Sequence, residues 1–377
     1  MKKTLLIFWI ILNFLGCQKN KVEEKNIYDA VVVGGGLAGL SAAYHLKNEL
    51  GENAKILLLE KENRLGGRIL TKKFGEYSYE LGAEFGYSPM LFPKNSEIPE
   101  LVISPDLYGE YKNGKLTFSK NVSIRDTFLT HNSNMIGNGE QYGKYEYLSH
   151  RAGGNGTMIE AYEKELAGKI ILEAEVVSVE NEKGNNIITY KKDGKDNVVM
   201  AKTVIVATPA TVAHKIIKNM RLESENFVKS VSYHKITVVN FIVNLKKQFD
   251  FAAIYTKNLI LYTTKKTDSV TELYCYINLE HANDYVDFAK QRLLEIGVLD
   301  EKTEILNIDS YFWKEEGTVI SEENYKNYSI EALNPLPGVF LAGDYTFWNE
   351  LKLPYGMPPA YFSGKTAAKK VVEYLKR

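Results

Sequence analysis

The sequence predicts an α/β protein: a Rossmann-like nucleotide-binding domain with a second, mixed α+β domain inserted into it in two segments. Three observations predict it. A β-branched, apolar stretch at 27–33 runs directly into Gly34-Gly35-Gly36-Leu37-Ala38-Gly39. That glycine run opens a helix-forming stretch, 37–50, with the small residues Ala38, Ala42 and Ala43 turned inward. A second apolar stretch, 55–59, ends on Glu60. Strand, helix and strand in this order make a βαβ unit, whose strands are mostly apolar because a parallel sheet is covered on both faces.

Ahead of this unit, Lys2 and Lys3 precede an apolar run, 5–15, broken only by Asn13. The run is shorter than the roughly 20 residues a membrane-spanning helix needs, so it predicts a secretory signal. Its ending, Phe14-Leu15-Gly16-Cys17, resembles a bacterial lipoprotein signal. The resemblance implies lipid on Cys17, a tether over 18–26 and a chain exported to the bacterial cell envelope. An uncleaved interfacial anchor or a buried helix are the alternatives.

Beyond Glu60, the Gly-rich stretch 63–87 predicts loops with short strands, and 88–151 an irregular excursion with short helices. A helix is expected at 157–166. Strands at 170–179, 186–192 and 197–201 alternate in polarity between turn signals and predict a meander of hairpins. A buried strand at 203–207 is stopped by Pro209. Strands at 230–245, 259–264 and 272–278 belong to a second sheet, where Cys275 falls on the apolar face as inert core. A helix at 285–296, a short buried strand at 339–341 and an amphipathic helix at 359–375 complete the chain. Gly153-Gly154-Asn155-Gly156 follows no expected strand, so it predicts a loop and not a second nucleotide site.

Composition narrows the function. The 377 residues carry 47 Lys+Arg against 47 Asp+Glu, with 45% hydrophobic and 25% charged residues. Length suggests two to three domains. The apolar share excludes disorder, the absence of a basic excess argues against nucleic acid, and 2 cysteines exclude a disulfide scaffold. The partners expected are a small-molecule substrate, an electron acceptor and a membrane reached through the lipid anchor. The six His show no metal-ligand spacing, and His234 reads as an ordinary strand residue.

The glycines carry distinct tasks in a G-x-G-x-x-G turn. Gly34 permits the tight turn, Gly36 lets a pyrophosphate touch the backbone, and Gly39 lets helix and strand pack closely. Glu60 lies 21 residues beyond Gly39, where a carboxylate accepts from ribose hydroxyls and repels a 2′-phosphate. The free N–H groups of the helix start favour the phosphates.

From Leu58 to Arg68 the chain reads Leu-Leu-Glu-Lys-Glu-Asn-Arg-Leu-Gly-Gly-Arg. This closely resembles the signature of flavin-containing amine oxidases and their relatives, the phytoene desaturases and protoporphyrinogen oxidases. Further segments resemble the family in order. Glu80-Leu81-Gly82-Ala83 is similar to the strip that passes the flavin ring, and 153–158 to the start of the helix that re-enters the FAD domain. Residues 204–209 resemble the strand that closes that domain, and Leu341-Ala342-Gly343-Asp344 the late motif whose acid reaches the ribityl chain.

The resemblance implies an FAD domain of 27–87, 151–212 and 331–377, and a substrate domain of 88–150 and 213–330, after the signal and tether of 1–26. It implies that Gly67 and Arg68 complete the pyrophosphate site, that Val176 offers backbone to adenine, that Gly343 and Asp344 serve the ribityl hydroxyls, and that Met357 starts a helix facing the flavin pyrimidine. FAD is expected to be non-covalent, because Cys275 is outside the linking motif and no cysteine follows it. Ser232-Tyr233-His234-Lys235-Ile236 resembles the strand that carries a lysine near flavin N5, which implies an active-site role for Lys235. In the turn before the last helix, Gly356 stands where amine oxidases usually place an aromatic; Trp313, Tyr345, Phe347, Trp348 and Tyr355 are other candidate pocket aromatics. The expected reaction is hydride transfer from a substrate, at an amine C–N bond, to flavin. Desaturation or isomerisation at C–C bonds, or a lipid-anchored FAD protein without turnover, are the alternatives.

Overall fold

The structure is a computed structural model that describes residues 27–85, 89–120, 149–245, 249–279, 284–319, 327–346 and 356–377. In chain order it opens with β1 (Ile27–Val33), α1 (Leu37–Leu50) and β2 (Ile56–Leu59). A hairpin, β3 (Thr71–Phe74) and β4 (Tyr77–Glu80), follows, then β5 (Leu101–Ile103), β6 (Tyr108–Lys112), β7 (Lys115–Ser119) and β8 (Ser149–Arg151). Next come α2 (Gly156–Glu165), β9 (Ile170–Ile171), β10 (Glu175–Glu182), β11 (Asn185–Lys192), β12 (Lys195–Val206), α3 (Ala210–Ile216) and α4 (Leu222–Ser230). The remainder is β13 (Ser232–Tyr233), β14 (Ile236–Asn244), β15 (Ala253–Thr256), β16 (Leu259–Lys265), β17 (Val270–Ile277), α5 (Tyr285–Glu295), β18 (Glu304–Trp313), β19 (Thr318–Val319), β20 (Val339–Leu341) and α6 (Met357–Leu375).

The first sheet is the α/β unit foreseen. β1 lies between β2 and β12, parallel to both, with Ala30 opposite Ile56 on one side and Thr203 on the other. β20 adds in parallel to β12, so the last of the described strands joins the first unit. α1 and α6 cover one face together. They approach so closely that a Cβ on Gly364 would lie 2.1 Å from Ala38 O.

Several elements differ from expectation for identifiable reasons. The stretch 170–179 is not one strand: Glu173 turns at φ +56°, and the link is held by Glu173 N–H to Glu62 O and Ala174 N–H to Glu60 O. The meander therefore starts at the tip of β2. The expected strands 197–201 and 203–207 are one continuous β12, in which exposed Lys202 merely points outward to Asp29, 2.7 Å away. The expected strand 230–245 breaks at His234 and Lys235, where the chain leaves β13 and enters β14.

The described part of 88–151 holds strands, with one turn of 3-10 helix at Pro89–Leu91 instead of short helices. Asn113 and Gly114, at φ +53° and +75°, form the turn of the β6–β7 hairpin, an Asn-Gly signal that pairs naturally with strand twist. β8 also corrects the expectation that no strand precedes the Gly153–Gly156 run. Those glycines serve packing: a Cβ on Gly154 would lie 2.5 Å from Thr71 Cγ2 and 2.7 Å from Glu80 Oε1.

The second sheet runs β18-β14-β17-β16-β15-β6-β7. Its outer face, with Val239, Phe241, Leu261, Leu273 and Cys275, packs on Ala289 and Leu293 of α5. Its inner face, with Ile236, Val238, Tyr262, Tyr274 and Trp313, packs on Leu70, Tyr79 and Leu81 of the β3–β4 hairpin. That hairpin thus lines the inner face of the second sheet.

Candidate functional site at the junction of the two sheets

At the carboxyl ends of β1 and β2, the glycine turn has the geometry its sequence requires. Gly34 sits at φ +105°, and a Cβ there would lie 2.8 Å from Ala207 O. A Cβ on Gly39 would lie 1.9 Å from Gly34 O, so this glycine is needed for helix and strand to meet. Gly36, the residue before α1, differs: a Cβ there would meet nothing nearer than Gly67 Cα at 3.9 Å. Nothing in the fold demands glycine at 36, and the space beside it is open. Gly67 approaches within 3.1 Å of Gly36 Cα if given a Cβ, at φ +58°. Glu60 is buried and accepts from Gly35 N–H at 2.5 Å and Glu62 N–H at 2.8 Å, which braces the turn. Val176 is buried at the start of β10, beside a β-bulge.

Across from the turn, Arg68 and Asp344 meet. Arg68 Nη2 lies 2.7 Å from Asp344 Oδ1, and Arg68 Nη1 donates to Glu316 O. Asp344 is 1% exposed; its Oδ1 also accepts from Tyr345 N–H, while Oδ2 has no hydrogen-bonding partner among the described residues. Gly343, at φ +145°, leaves no room for a side chain, because a Cβ would lie 2.5 Å from the Tyr345 ring. Burial and the Asp344 charge push the Tyr233 hydroxyl up, and burial also raises Glu316. Met357 opens α6 as expected, but Pro358 and Pro359 follow it and carry no N–H. The first turn of α6 therefore offers far fewer donors than an ordinary helix start.

The Glu80–Phe85 strip is held by side chains from several elements. Glu80 accepts from Thr71 Oγ1 at 2.9 Å and Asn155 N–H at 2.7 Å. Its own N–H donates to Glu272 Oε1, and its carbonyl accepts from Asn240 Nδ2. Trp313 Nε1 donates to Leu81 O, Tyr274 to Gly82 O, and Asn155 Nδ2 to Ala83 O and Phe85 O. A strip this constrained is a fixed wall. Beneath it lie the carboxyls of Glu80, Glu84 and Glu272, with Lys266 Nζ 2.6 Å from Glu272 Oε2. Burial, and then Glu84, push the Glu80 carboxyl up to about 8.

Lys235 is exposed at the β13–β14 break, and His234 beside it is exposed too. β14 buries two polar residues, Thr237 and Asn240, and Asn240 is at 0% exposure. Sequence reasoning passed over it, although a lone Asn in the otherwise apolar run 238–243 is a visible signal. Trp313 lies on the wall, whereas Tyr345 is core, packed near Phe227. Phe347, Trp348, Tyr355 and Cys17 lie outside the described residues. Among the described residues there is no group of His, Cys, Asp or Glu fit to hold a metal, and no helix long and apolar enough to cross a membrane.

The open space at Gly36, the bare Oδ2 of Asp344 and the cationic Arg68 between them fit a diphosphate-bearing dinucleotide with a polyhydroxyl arm. Comparison with known proteins agrees. Residues 32–90 match the model of an NAD(P)-binding Rossmann-like domain, and residues 93–372 that of the flavin containing amine oxidoreductases. Coproporphyrinogen III oxidase of Mycobacterium tuberculosis is 47% identical over 53 residues, 14% of this chain and 12% of that protein. Prenylcysteine oxidase 1 of Homo sapiens is 30% identical over 121 residues, 31% of this chain and 24% of that protein. The chain thus aligns with a quarter or less of the length of these curated relatives. Among solved structures, cyclohexylamine oxidase from Brevibacterium oxydans has a TM-score of 0.75 at 15% identity, covering 93% of this chain and 100% of that one. A putrescine oxidase has a TM-score of 0.72 at 13% identity, covering 92% and 99%. At such identities these likenesses show the fold.

Proposed function

The chain belongs to the flavin-containing amine oxidoreductase family, and on that footing we propose that it is an FAD-dependent oxidoreductase taking hydride from a small or apolar substrate at an amine C–N bond. FAD is its cofactor, held non-covalently; when bound it supplies an acceptor for the substrate's electron pair. The observation that carries this reading is Asp344 Oδ2, a buried carboxylate oxygen without a partner among the described residues, on a carboxylate whose Oδ1 is paired with Arg68. An unpaired buried acceptor is costly unless a ligand donates to it, as a polyhydroxyl chain would.

The chain's own residues divide the work. Gly34 and Gly39 shape the turn, and Gly36 and Gly67 leave backbone room for the diphosphate. Arg68 neutralises it, Glu60 braces the turn and faces the ribose, and Val176 borders the adenine end. The Glu80–Phe85 wall fixes one side of the reaction chamber and excludes water, which strengthens electrostatics inside it. Met357 N–H remains to face the flavin. Lys235 near N5 stays part of the proposal, although the reading rests on Asp344 and not on this exposed lysine.

One observation favours a second reading, oxidation or isomerisation at a C–C bond. Gly356 adopts φ +117°, a conformation other residues rarely take, so no aromatic side chain guides an amine from this position. Purified protein should be yellow and should release FAD on acid denaturation. Anaerobic bleaching of the flavin by primary or secondary amines supports the first reading. Bleaching by saturated polycyclic substrates alone supports the second, and a colourless or NADP-bearing protein overturns both.

We also place the protein at a membrane through lipid on Cys17. Radiolabelled lipid should attach to the wild type and not to Cys17→Ser; label on neither removes the anchor from the proposal.

A further inference from the structure

Three side chains from three parts of the chain form a series that ends at the wall. Ser104, in the link between β5 and β6, has its Oγ 3.0 Å from His150 Nε2. His150, on β8, has its Nδ1 3.0 Å from Glu84 Oε1. Ser104, His150 and Glu84 are 7%, 7% and 6% exposed. Neither Glu84 oxygen makes a directed hydrogen bond among the described residues: Oε1 meets His150 Nδ1 at ion-pair distance, and Oε2 has no partner. At the far end, Ser104 lies just beneath the surface, between Ile103, which is 61% exposed, and exposed Pro105. The series therefore runs from a buried serine flanked by exposed residues to a bare carboxylate oxygen of Glu84, within the wall itself.

The surroundings tune this oxygen for protons. Glu80 on β4, Glu272 and Tyr274 on β17, and Lys266 just after β16 interact electrostatically with Glu84. Burial, followed by the Glu272 charge, raises the Glu84 carboxyl, while His150 and Lys266 oppose that rise. Serine, histidine and carboxylate in this order also serve acyl transfer, but there the serine faces the substrate. Here the order is reversed in space: the carboxylate has the free end and the serine lies towards solvent.

We propose that Ser104, His150 and Glu84 form a proton relay, with Glu84 as the base that receives the proton lost by the substrate. This rests on the C–N reading above. Oxidation of a protonated primary amine breaks the C–H bond beside nitrogen, with its electron pair going to flavin. It also breaks one N–H bond, leaving a protonated imine and releasing one proton. That proton passes to the bare Glu84 Oε2, a turn of the carboxyl group about its Cγ–Cδ bond carries it to Nδ1 of a His150 protonated on Nε2, and the imidazole gives its Nε2 proton through Ser104 Oγ to water. Atoms and charge balance with flavin as the oxidant.

The test has two independent arms. Infrared difference spectra of the flavin-loaded protein across neutral pH should show a buried carboxylic-acid band that Glu84→Gln removes and His150→Asn shifts. Stopped-flow reduction by an amine, without oxygen, should be about 10²-fold slower in Glu84→Gln, with a flattened pH profile, while the flavin content stays unchanged. Ser104→Ala, the mildest variant, should slow reduction less and weaken its pH dependence. A band that survives Glu84→Gln, or is missing from the wild type, overturns the relay whatever the substrate. Unaltered reduction rates and pH profiles in Glu84→Gln and Ser104→Ala overturn it as well. Failure of every amine to reduce the wild type overturns the C–N reading instead, and the infrared arm still judges the relay.

Discussion

Arg68 and Asp344 stand 276 positions apart in the chain and meet at 2.7 Å. The contact joins the loop after β2 to the loop after β20, across β1 and β12. In a parallel sheet this crevice at the carboxyl ends is where ligands bind, because helix starts and strand ends converge there. The pair thus closes the site from both ends of the sequence.

Replacing Asp344 by Ala should weaken FAD binding about 10- to 100-fold, since a hydrogen bond to a charged group is worth about 1.5–3 kcal/mol. Asp344→Asn keeps the shape but not the charge, and should fall between Ala and wild type. Titrating flavin-free protein with FAD and following fluorescence quenching reads both. An unchanged Kd for Asp344→Ala would move the ribityl site elsewhere.

Two glycines of one motif should fail differently. Gly36→Val adds atoms to open space, so the fold should survive while flavin is lost. Gly39→Ala forces a carbon to 1.9 Å from Gly34 O, so thermal stability should drop whether or not FAD is present. Circular dichroism melts alongside flavin absorbance separate the two. Full flavin in Gly36→Val would mean that the diphosphate does not pass this backbone.

The Glu80 carboxyl gives stability a pH slope. Its proton is held more tightly in the folded chain, at about 8, than in an unfolded chain near the ordinary 4.5. Between those values the folded state binds more protons than the unfolded one, so stability falls as pH rises from about 5 to 8, at up to about 1.4 kcal/mol per unit. Glu80→Gln should flatten that slope, as melts at pH 5.5 and 8.5 would show. Glu84 shifts in the same direction, so part of the slope should remain. A slope untouched by the substitution would mean that Glu80 is ionised in the fold.

What could be read from the chain beforehand depends on the kind of signal. The βαβ unit and its glycines were legible because turn, helix start and close packing each demand a residue type locally. Arg68 and Asp344 could be named but not paired, since their meeting depends on the long-range pairing of β20 with β12. The cluster of Glu80, Glu84, Glu272 and Lys266 was invisible. Its members come from different elements, and a glutamate on an edge looks the same in sequence as one beneath a wall. The β6–β7 hairpin escaped for a simpler reason: its Asn113-Gly114 turn lies in a stretch with little other periodicity.

Lys235 and Asn240 put the reactive side to the sharpest test. The family resemblance selects Lys235, and the fold selects Asn240. Lys235 is exposed where β13 gives way to β14, so Lys235→Met should leave FAD bound and change stability by less than about 0.5 kcal/mol. Asn240 sits five residues further along, fully buried, with Nδ2 2.6 Å from Glu272 Oε1 and 3.0 Å from Glu80 O. Asn240→Leu strips the donor from two buried acceptors, each costing about 1–3 kcal/mol. It should also loosen the wall, so the flavin absorbance bands and the rate of flavin reduction should both change. Stopped-flow measurement of the reductive and oxidative half-reactions decides between the two residues. A selective loss of flavin reoxidation in Lys235→Met would return the lysine to N5 and show that its side chain reaches inward in the loaded protein. Small effects in Lys235→Met beside large ones in Asn240→Leu would assign the positioning of the flavin wall to the asparagine.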